Sequence, residues 1–198
     1  GCANFLLPQV CAAIQADNPE LEVQILALPR VVNLSRREAD MAVTVSPPEA
    51  GRLTVQKITD YRLHLAQHRD FAVPDTLADL RGRPVVGYIP DMIFDAALDY
   101  MGDLATDGVQ MASNSVSVQV QMLRAGAGVG IAHDFALPFA PEVRRVLTQA
   151  VSLTRSFYLV RHTADRQSDR LQRFAAALTE GLRAEVARLE SLTDAAAV

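Results

Sequence analysis

The stretch SNSVSVQVQMLRAGAGVGI, Ser113 to Ile131, encodes a capped helix that runs into a glycine turn and then a strand. Ser113, Asn114 and Ser115 carry side-chain oxygens suited to accept hydrogen bonds from the free N–H groups of a helix's first turn, or to face a ligand there. Val116, Val120, Leu123 and Ala127 recur at i, i+4, i+7 and i+11, which places apolar groups on one helix face. Arg124 suits the negative end of that helix. Gly126, Gly128 and Gly130 follow. Glycine tolerates the left-handed backbone that stops a helix and allows one backbone to approach another closely. A buried strand, Val129 to Ala132, is expected next, and the whole stretch reads as the floor of a ligand cleft.

Upstream, Asn4 to Asp17 reads as a helix with Leu6, Val10, Ala13 and Ile14 on one face, Asn4 as N-cap and Pro8 in its opening turn. Leu21, Val23 and Ile25 alternate with Glu22 and Gln24, the period of a strand with one polar face. Pro29-Arg30 turns the chain into a short helix, Val31 to Glu38, and Ala39 to Val45 is an apolar run expected to form a doubly covered strand. Leu53 to Ile58 and Tyr61 to Ala66 predict further strands, and the polar stretch Gln67 to Asp75 is placed as a crossing into a second lobe. Thr76 is placed as the cap of helix Leu77 to Arg81. A strand at Pro84 to Tyr88, a helix at Asp91 to Met101 and a strand at Val109 to Ala112 lead to the opening motif. Ser156 to His162 returns as a strand. Ser168 to Leu192 is a long amphipathic helix through Leu171, Phe174, Leu178, Leu182, Val186 and Leu189, and Thr193 to Val198 is expected to fray. This alternation predicts an α/β protein with a mainly parallel sheet and right-handed crossovers. Two α/β units joined by an outgoing and a returning strand predict two Rossmann-like lobes on two hinge strands with a cleft between them, the default place for a ligand. The expected division is residues 1–66 with 161–198 for lobe I and 67–160 for lobe II.

The chain has 198 residues, enough to bury roughly 70% of its unfolded surface. Its formal net charge of −4 and a single lysine, Lys57, among scattered arginines speak against a polyanion as direct partner. Cys2 and Cys11 have neither the number for a disulfide framework nor a metal-ligand spacing, and they read as reduced, buried, apolar filling. No cofactor and no metal is called for, no run of 18 apolar residues exists, and no signal peptide is seen. Gly1 lies almost directly at a helix, so a preceding strand or domain is expected.

These motifs closely resemble the effector-binding domain of LysR-type transcriptional regulators, itself similar to type 2 periplasmic binding proteins. The resemblance rests on FLLPQV (Phe5 to Val10), NPELEVQI (Asn18 to Ile25), LSRREADMAV (Leu34 to Val43), TLADLRGRPVV (Thr76 to Val86), VQMLRAGAGVGI (Val120 to Ile131), YLVRH (Tyr158 to His162) and QRFAAAL (Gln172 to Leu178). It implies a cytoplasmic protein whose N-terminal winged helix-turn-helix and linker helix precede Gly1. Only that missing domain would touch DNA. It also implies a homodimer or higher homo-oligomer in which helix Asn4 to Asp17 packs on the partner's second lobe, near Asp91 to Met101 or Val109 to Ala112. Two departures stand out. Ala132-His133 replaces the family's usual Leu-Pro pair, and Gln67 to Phe71 replaces its usual His-Pro-Leu segment.

Helix N-termini expected at Asn4, Asp91 and Asn114 would point to the cleft in such a fold, offering N–H groups to a small, polar effector such as a carboxylate. The effector-contact set expected on this basis is Ala3, Asn4, Phe5, Arg30, Pro90, Asp91, Asn114, Ser115 and His133. Several have a plainer reading beside them. Asn114 and Ser115 are equally simple caps, Arg30 a surface arginine instead of a carboxylate clamp, and His133 a satisfied half-buried histidine. Asp91 would compete with an anion or select an amine or hydroxyl. Tyr88 and Pro90 are candidate pocket walls, Tyr88 being equally a core residue. The function expected is a ligand sensor that changes dimer geometry. A solute-binding receptor of a transport system shares the fold and is the alternative. An enzyme is disfavoured, because neither a Gly-x-Ser-x-Gly elbow nor a His-Glu-x-x-His motif occurs.

Overall fold

Apolar periodicities of both 3.6 and 2 occur along the chain, and it forms both helices and strands. The computed structural model describes residues 1–28, 34, 38–48, 51–93, 95–100 and 108–196. Its helices are α1 (Cys2–Phe5), α2 (Leu7–Asp17), α3 (Val116–Arg124) and α4 (Asp169–Ala195). Its strands are β1 (Met41–Thr44), β2 (Leu53–His68), β3 (Val85–Gly87), β4 (Met111–Ala112), β5 (Val129–His133), β6 (Val143–Arg145) and β7 (Ser152–His162). The chain divides into two compact units. An N-terminal unit comprises Cys2–Asp60 and Ser156–Arg188, and a central unit comprises Gly1, Tyr61–Arg155 and Leu189–Val198. The changes of unit at 60/61, 155/156 and 188/189 fall within β2, β7 and α4.

In the central unit β5 pairs antiparallel with β2, from Leu63 opposite His133 to Gln67 opposite Val129, and β6 adds to β2 through Ala66 opposite Arg145. β3 lies parallel to both β5 and β4. Among the described residues, parallel pairing is seen at β3–β5 and β3–β4 and antiparallel pairing at β2–β5, β2–β6 and β1–β7, whereas a mainly parallel sheet was expected. Alternating burial along a strand does not encode the direction of its neighbour. Two glycines allow β5 to approach so closely: a Cβ on Gly128 would collide with the Pro84 carbonyl oxygen, and one on Gly130 with that of Val86. Val129 N donates to Pro84 O at 3.0 Å across the same gap. Gly126, at φ 74°, ends α3, and Ala127 N closes its last turn on Met122 O.

The N-terminal unit pairs β1 antiparallel with β7, from Met41 opposite Arg161 to Thr44 opposite Tyr158. Leu6, Leu159 and Leu182 are its most buried apolar residues. α4 can lie against α2 because Gly181 has no Cβ; one placed there would sit 2.5 Å from Val10 Cγ1. Arg183 Nε donates to Ile58 O at 2.6 Å.

Several expectations are corrected. The first helix starts at Cys2 and breaks at Leu6, so Asn4 lies inside α1 and is not an N-cap. Pro8 is the reason, since its ring clashes with the carbonyl four residues back, at Asn4, in a continuous helix. Residues 21–28 form no strand, although burial alternates at 21–24; alternation is local, whereas a strand needs a partner ladder. Leu53–Ile58 and Tyr61–Ala66 are one strand, β2, across Asp60, whose carboxylate is held by Lys57 Nζ at 2.7 Å and by the Ser156 hydroxyl. β2 runs on through Gln67 and His68, where a polar crossing was expected. Thr76 caps a single 3-10 turn, Leu77–Leu80, in a capping box with Asp79. The helix expected at Asp91 to Met101 is replaced, among the described residues, by two 3-10 turns, Pro90–Met92 and Ala96–Leu98. Asp95 Oδ1 accepts from Ala97 N at 2.9 Å, a local bond that competes with helix formation. The helix expected at Val31 to Glu38 lies outside the described residues except for Leu34, which is buried, and Glu38.

The end of α4 does not fray at Thr193. Asp134, fully buried, receives His64 Nδ1 on both carboxylate oxygens (2.8 and 3.0 Å) and Arg145 Nη1 at 2.9 Å. Arg62 Nε bonds Glu190 at 2.9 Å and Arg62 Nη2 bonds Asp194 at 2.9 Å, while Arg145 also reaches Asp194 at 3.0 Å. Thr193 is buried, and its hydroxyl donates to Asp134 O at 2.8 Å. This network holds the last turns of α4 against β2 and β6.

Candidate ligand-binding site

The N-terminus of α3 is positioned by the end of β3, because Ser113 N donates to Gly87 O at 3.0 Å. Ser113 is buried. Its hydroxyl accepts from Ser115 N at 3.1 Å, and its carbonyl accepts from Gln119 Nε2 at 2.7 Å. Ser115 is the N-cap residue with extended backbone, yet its side chain makes no capping bond. Of the three expected caps, Ser113 serves the loop, Ser115 takes the N-cap position and Asn114 before it is half-buried. Ser117, which the sequence reading passed over, has a buried hydroxyl without a partner in the same turn.

Beside this turn the central unit holds a cavity of about 520 Å³. Val86, Pro90, Ile93, Leu98 and Ile131 supply apolar lining, and Tyr88 and Tyr100 aromatic lining. Gln119, Asp95 and Asp99 are its polar lining. Tyr88 and Pro90, expected as walls of an interlobe cleft, line this cavity within the central unit; Gln119 and Tyr100 were not foreseen. Gln119 falls on the buried face of α3 at a polar letter, a signal that periodicity discards. Burial pushes the Tyr88 hydroxyl up to about 12 and that of Tyr100 higher still, so both phenols stay neutral. Arg155 stacks over the Tyr100 ring at 5.8 Å, with Nε on Ala97 O at 3.0 Å.

His133, the last residue of β5, is only 4% exposed. Its ring stacks on Tyr61 with centroids 5.4 Å apart and meets Phe135 at 5.0 Å and Tyr100 at 6.1 Å. Its Nδ1 has no hydrogen-bond partner, and burial holds its pKa well below the ordinary histidine value. Neither a half-buried nor a fully satisfied histidine describes it. Asp91 is exposed in its 3-10 turn and does not line the cavity. In the N-terminal unit, Ala3 and Asn4 lie in the short α1 with Phe5, which is buried. Arg30 lies outside the described residues. Cys11 is buried and Cys2 half-buried; burial raises the Cys2 thiol to about 12, which leaves little nucleophilic thiolate. Among the described residues no group of three or more His, Cys, Asp or Glu could hold a metal ion, and no helix is long and apolar enough to cross a membrane.

A comparison with protein families matches residues 1–183 to the LysR substrate binding domain. The chain belongs to this family. The LysR substrate binding domain is a regulatory and not an enzymatic family, with the α/β fold of the type 2 periplasmic binding proteins. Solved structures agree on the fold. The regulatory domain of CrgA, a LysR-type transcriptional regulator from Neisseria meningitidis, matches at TM-score 0.80 and 18% identity over 91% of this chain and 94% of that one. The effector domain of AmpR from Pseudomonas aeruginosa matches at 0.69 and 18%, over 96% and 94%. A hydrogen-peroxide-bound OxyR from Corynebacterium glutamicum matches at 0.69 and 18%, over 96% of this chain and 65% of the OxyR chain. No curated protein matches this LysR substrate binding domain.

Proposed function

We propose that this LysR substrate binding domain is the ligand-sensing part of a cytoplasmic, DNA-binding transcriptional regulator. In this reading a small polar effector, such as a carboxylate, binds in the cleft expected from the sequence and shifts the geometry of a homodimer or higher homo-oligomer. DNA is touched only by a separate N-terminal domain. A ligand acts in this way only to the extent that it binds one arrangement better than the other.

The observation that carries the reading is the N-terminus of α3, where Ser115 occupies the capping position without using its side chain. First-turn N–H groups left uncapped there suit an anion or a polar oxygen. The proposed contact set is Ala3, Asn4, Phe5, Arg30, Pro90, Asp91, Asn114, Ser115 and His133, with Asn114 and Ser115 as its central pair. Once a metabolite screen by thermal shift has supplied an effector, Asn114→Ala and Ser115→Ala should each weaken it about tenfold, a loss on the order of 1.4 kcal/mol by calorimetric titration. Affinity unchanged within error in both variants rejects this placement. A full-length protein that is exported, or that has no DNA-binding domain, rejects the regulator reading in favour of a transport receptor.

A further inference from the structure

We infer that the proposed effector extends from Asn114 and Ser115 into the cavity of the central unit, and that Gln119 there selects an aromatic carboxylate carrying an O–H or N–H donor on its ring. This deepens the effector reading and rests on it. The cavity adjoins the proposed contacts through three residues. Pro90 belongs to both, Gly87 lines the cavity while its carbonyl accepts from Ser113 N at 3.0 Å, and Gln119 follows Ser115 by one turn of α3. A volume of about 520 Å³ has room for a small molecule. Most of the described lining is apolar or aromatic. Tyr88 and Tyr100 meet edge to face with ring centroids 6.0 Å apart, and Val86, Leu98 and Ile131 add aliphatic surface. A ring entering this space exchanges water for edge and face contacts of the kind the two tyrosines already make with each other.

Gln119 supplies the selectivity. It is 6% exposed and shares the buried face of α3 with Val116, Val120 and Leu123. Its Nε2 donates to Ser113 O at 2.7 Å. A carbonyl can face only the NH2 end of an amide, so this bond fixes which way the side chain is turned. The other end, Oε1, is left as an acceptor, and among the described residues no group donates to it. A ligand that fills the cavity without a donor takes water from Oε1 and leaves that acceptor unpaired. Under that condition a site discriminates strongly between an analogue with a hydroxyl and one without. The carboxylate of the same ligand lies at the first turn of α3, where N–H groups suit an anion.

Benzoate, meta-hydroxybenzoate and para-hydroxybenzoate are the probes, titrated calorimetrically into the wild-type chain and into Gln119→Leu, which keeps an apolar side chain in place and removes the acceptor. In the wild type a hydroxybenzoate should bind about tenfold more tightly than benzoate. In Gln119→Leu that ratio should fall to about one. Comparing two ligands within one variant cancels any change in the loop that follows loss of the Ser113 bond. Ala96→Trp, at an exposed lining position, should weaken all three probes. Asn114→Ala with Ser115→Ala should weaken all three alike and preserve the ratio. No binding by any probe, no gain from the hydroxyl in the wild type, a ratio that persists in Gln119→Leu, or undiminished binding to Ala96→Trp would each overturn the inference, while an effector found in the metabolite screen would still support the effector reading. If the ratio is lost in Gln119→Leu but the Asn114 and Ser115 variants bind the probes undiminished, the placement of the carboxylate is wrong and the selection by Gln119 stands.

Discussion

His133 shows how one side chain can tie stability to pH. Buried among Tyr61, Phe135 and Tyr100, it stays neutral in the folded chain, while in the unfolded chain it takes up a proton near the ordinary value of 6.5. Below that value the unfolded state binds more protons than the native state, so stability falls as pH falls. From this group the slope approaches about 1.4 kcal/mol per pH unit in that range. Urea unfolding from pH 7 to 5 should show the decline, and His133→Phe, which keeps the aromatic packing, should flatten it. An unaltered slope in that variant would assign the effect to other groups. A histidine closing the apolar run Val129 to Ala132 was visible in the sequence. That its ring is encased in three aromatic residues was not, because Tyr61, Tyr100 and Phe135 come from separate segments.

Helices and strands in this chain owe their ends to a few backbone positions. Gly128→Ala should cost about 2–4 kcal/mol in urea unfolding, because its Cβ would strike the Pro84 carbonyl in the β3–β5 ladder. Gly126→Ala should cost about 1 kcal/mol, the price of left-handed backbone without a clash. The glycine run, α3 and β5 were legible because their determinants are local. The end of α4 was not. Thr193 looked like a fraying terminus, yet it bonds to Asp134, fifty-nine residues away in sequence. Asp134→Asn leaves Arg145 and His64 short of a buried charge and should cost about 3–5 kcal/mol. Thr193→Val should cost about 1 kcal/mol. Both should speed amide exchange in the last two turns of α4, and protection unchanged there would show that the network does not hold the helix end.

For the chain as a whole, the net charge of −4 and dispersed arginines predict that it does not retard duplex DNA in a gel, even at low salt where electrostatic binding is strongest. Its effector, at about 100 times the dissociation constant, should stabilise it by about 2.7 kcal/mol, read as a rise in melting temperature. Family, fold class, the pairing of helix with strand and the polar turn before α3 all follow from residue order, since each rests on contacts within a few residues or on a periodicity. Strand direction, the merging of two expected strands into β2, the loss of the helix after Pro90 and the cavity lined by Gln119 and Tyr100 depend on groups far apart in the chain. Their energies appear only when the segments meet, and a linear pattern carries no record of which distant carbonyl, carboxylate or ring will be waiting there.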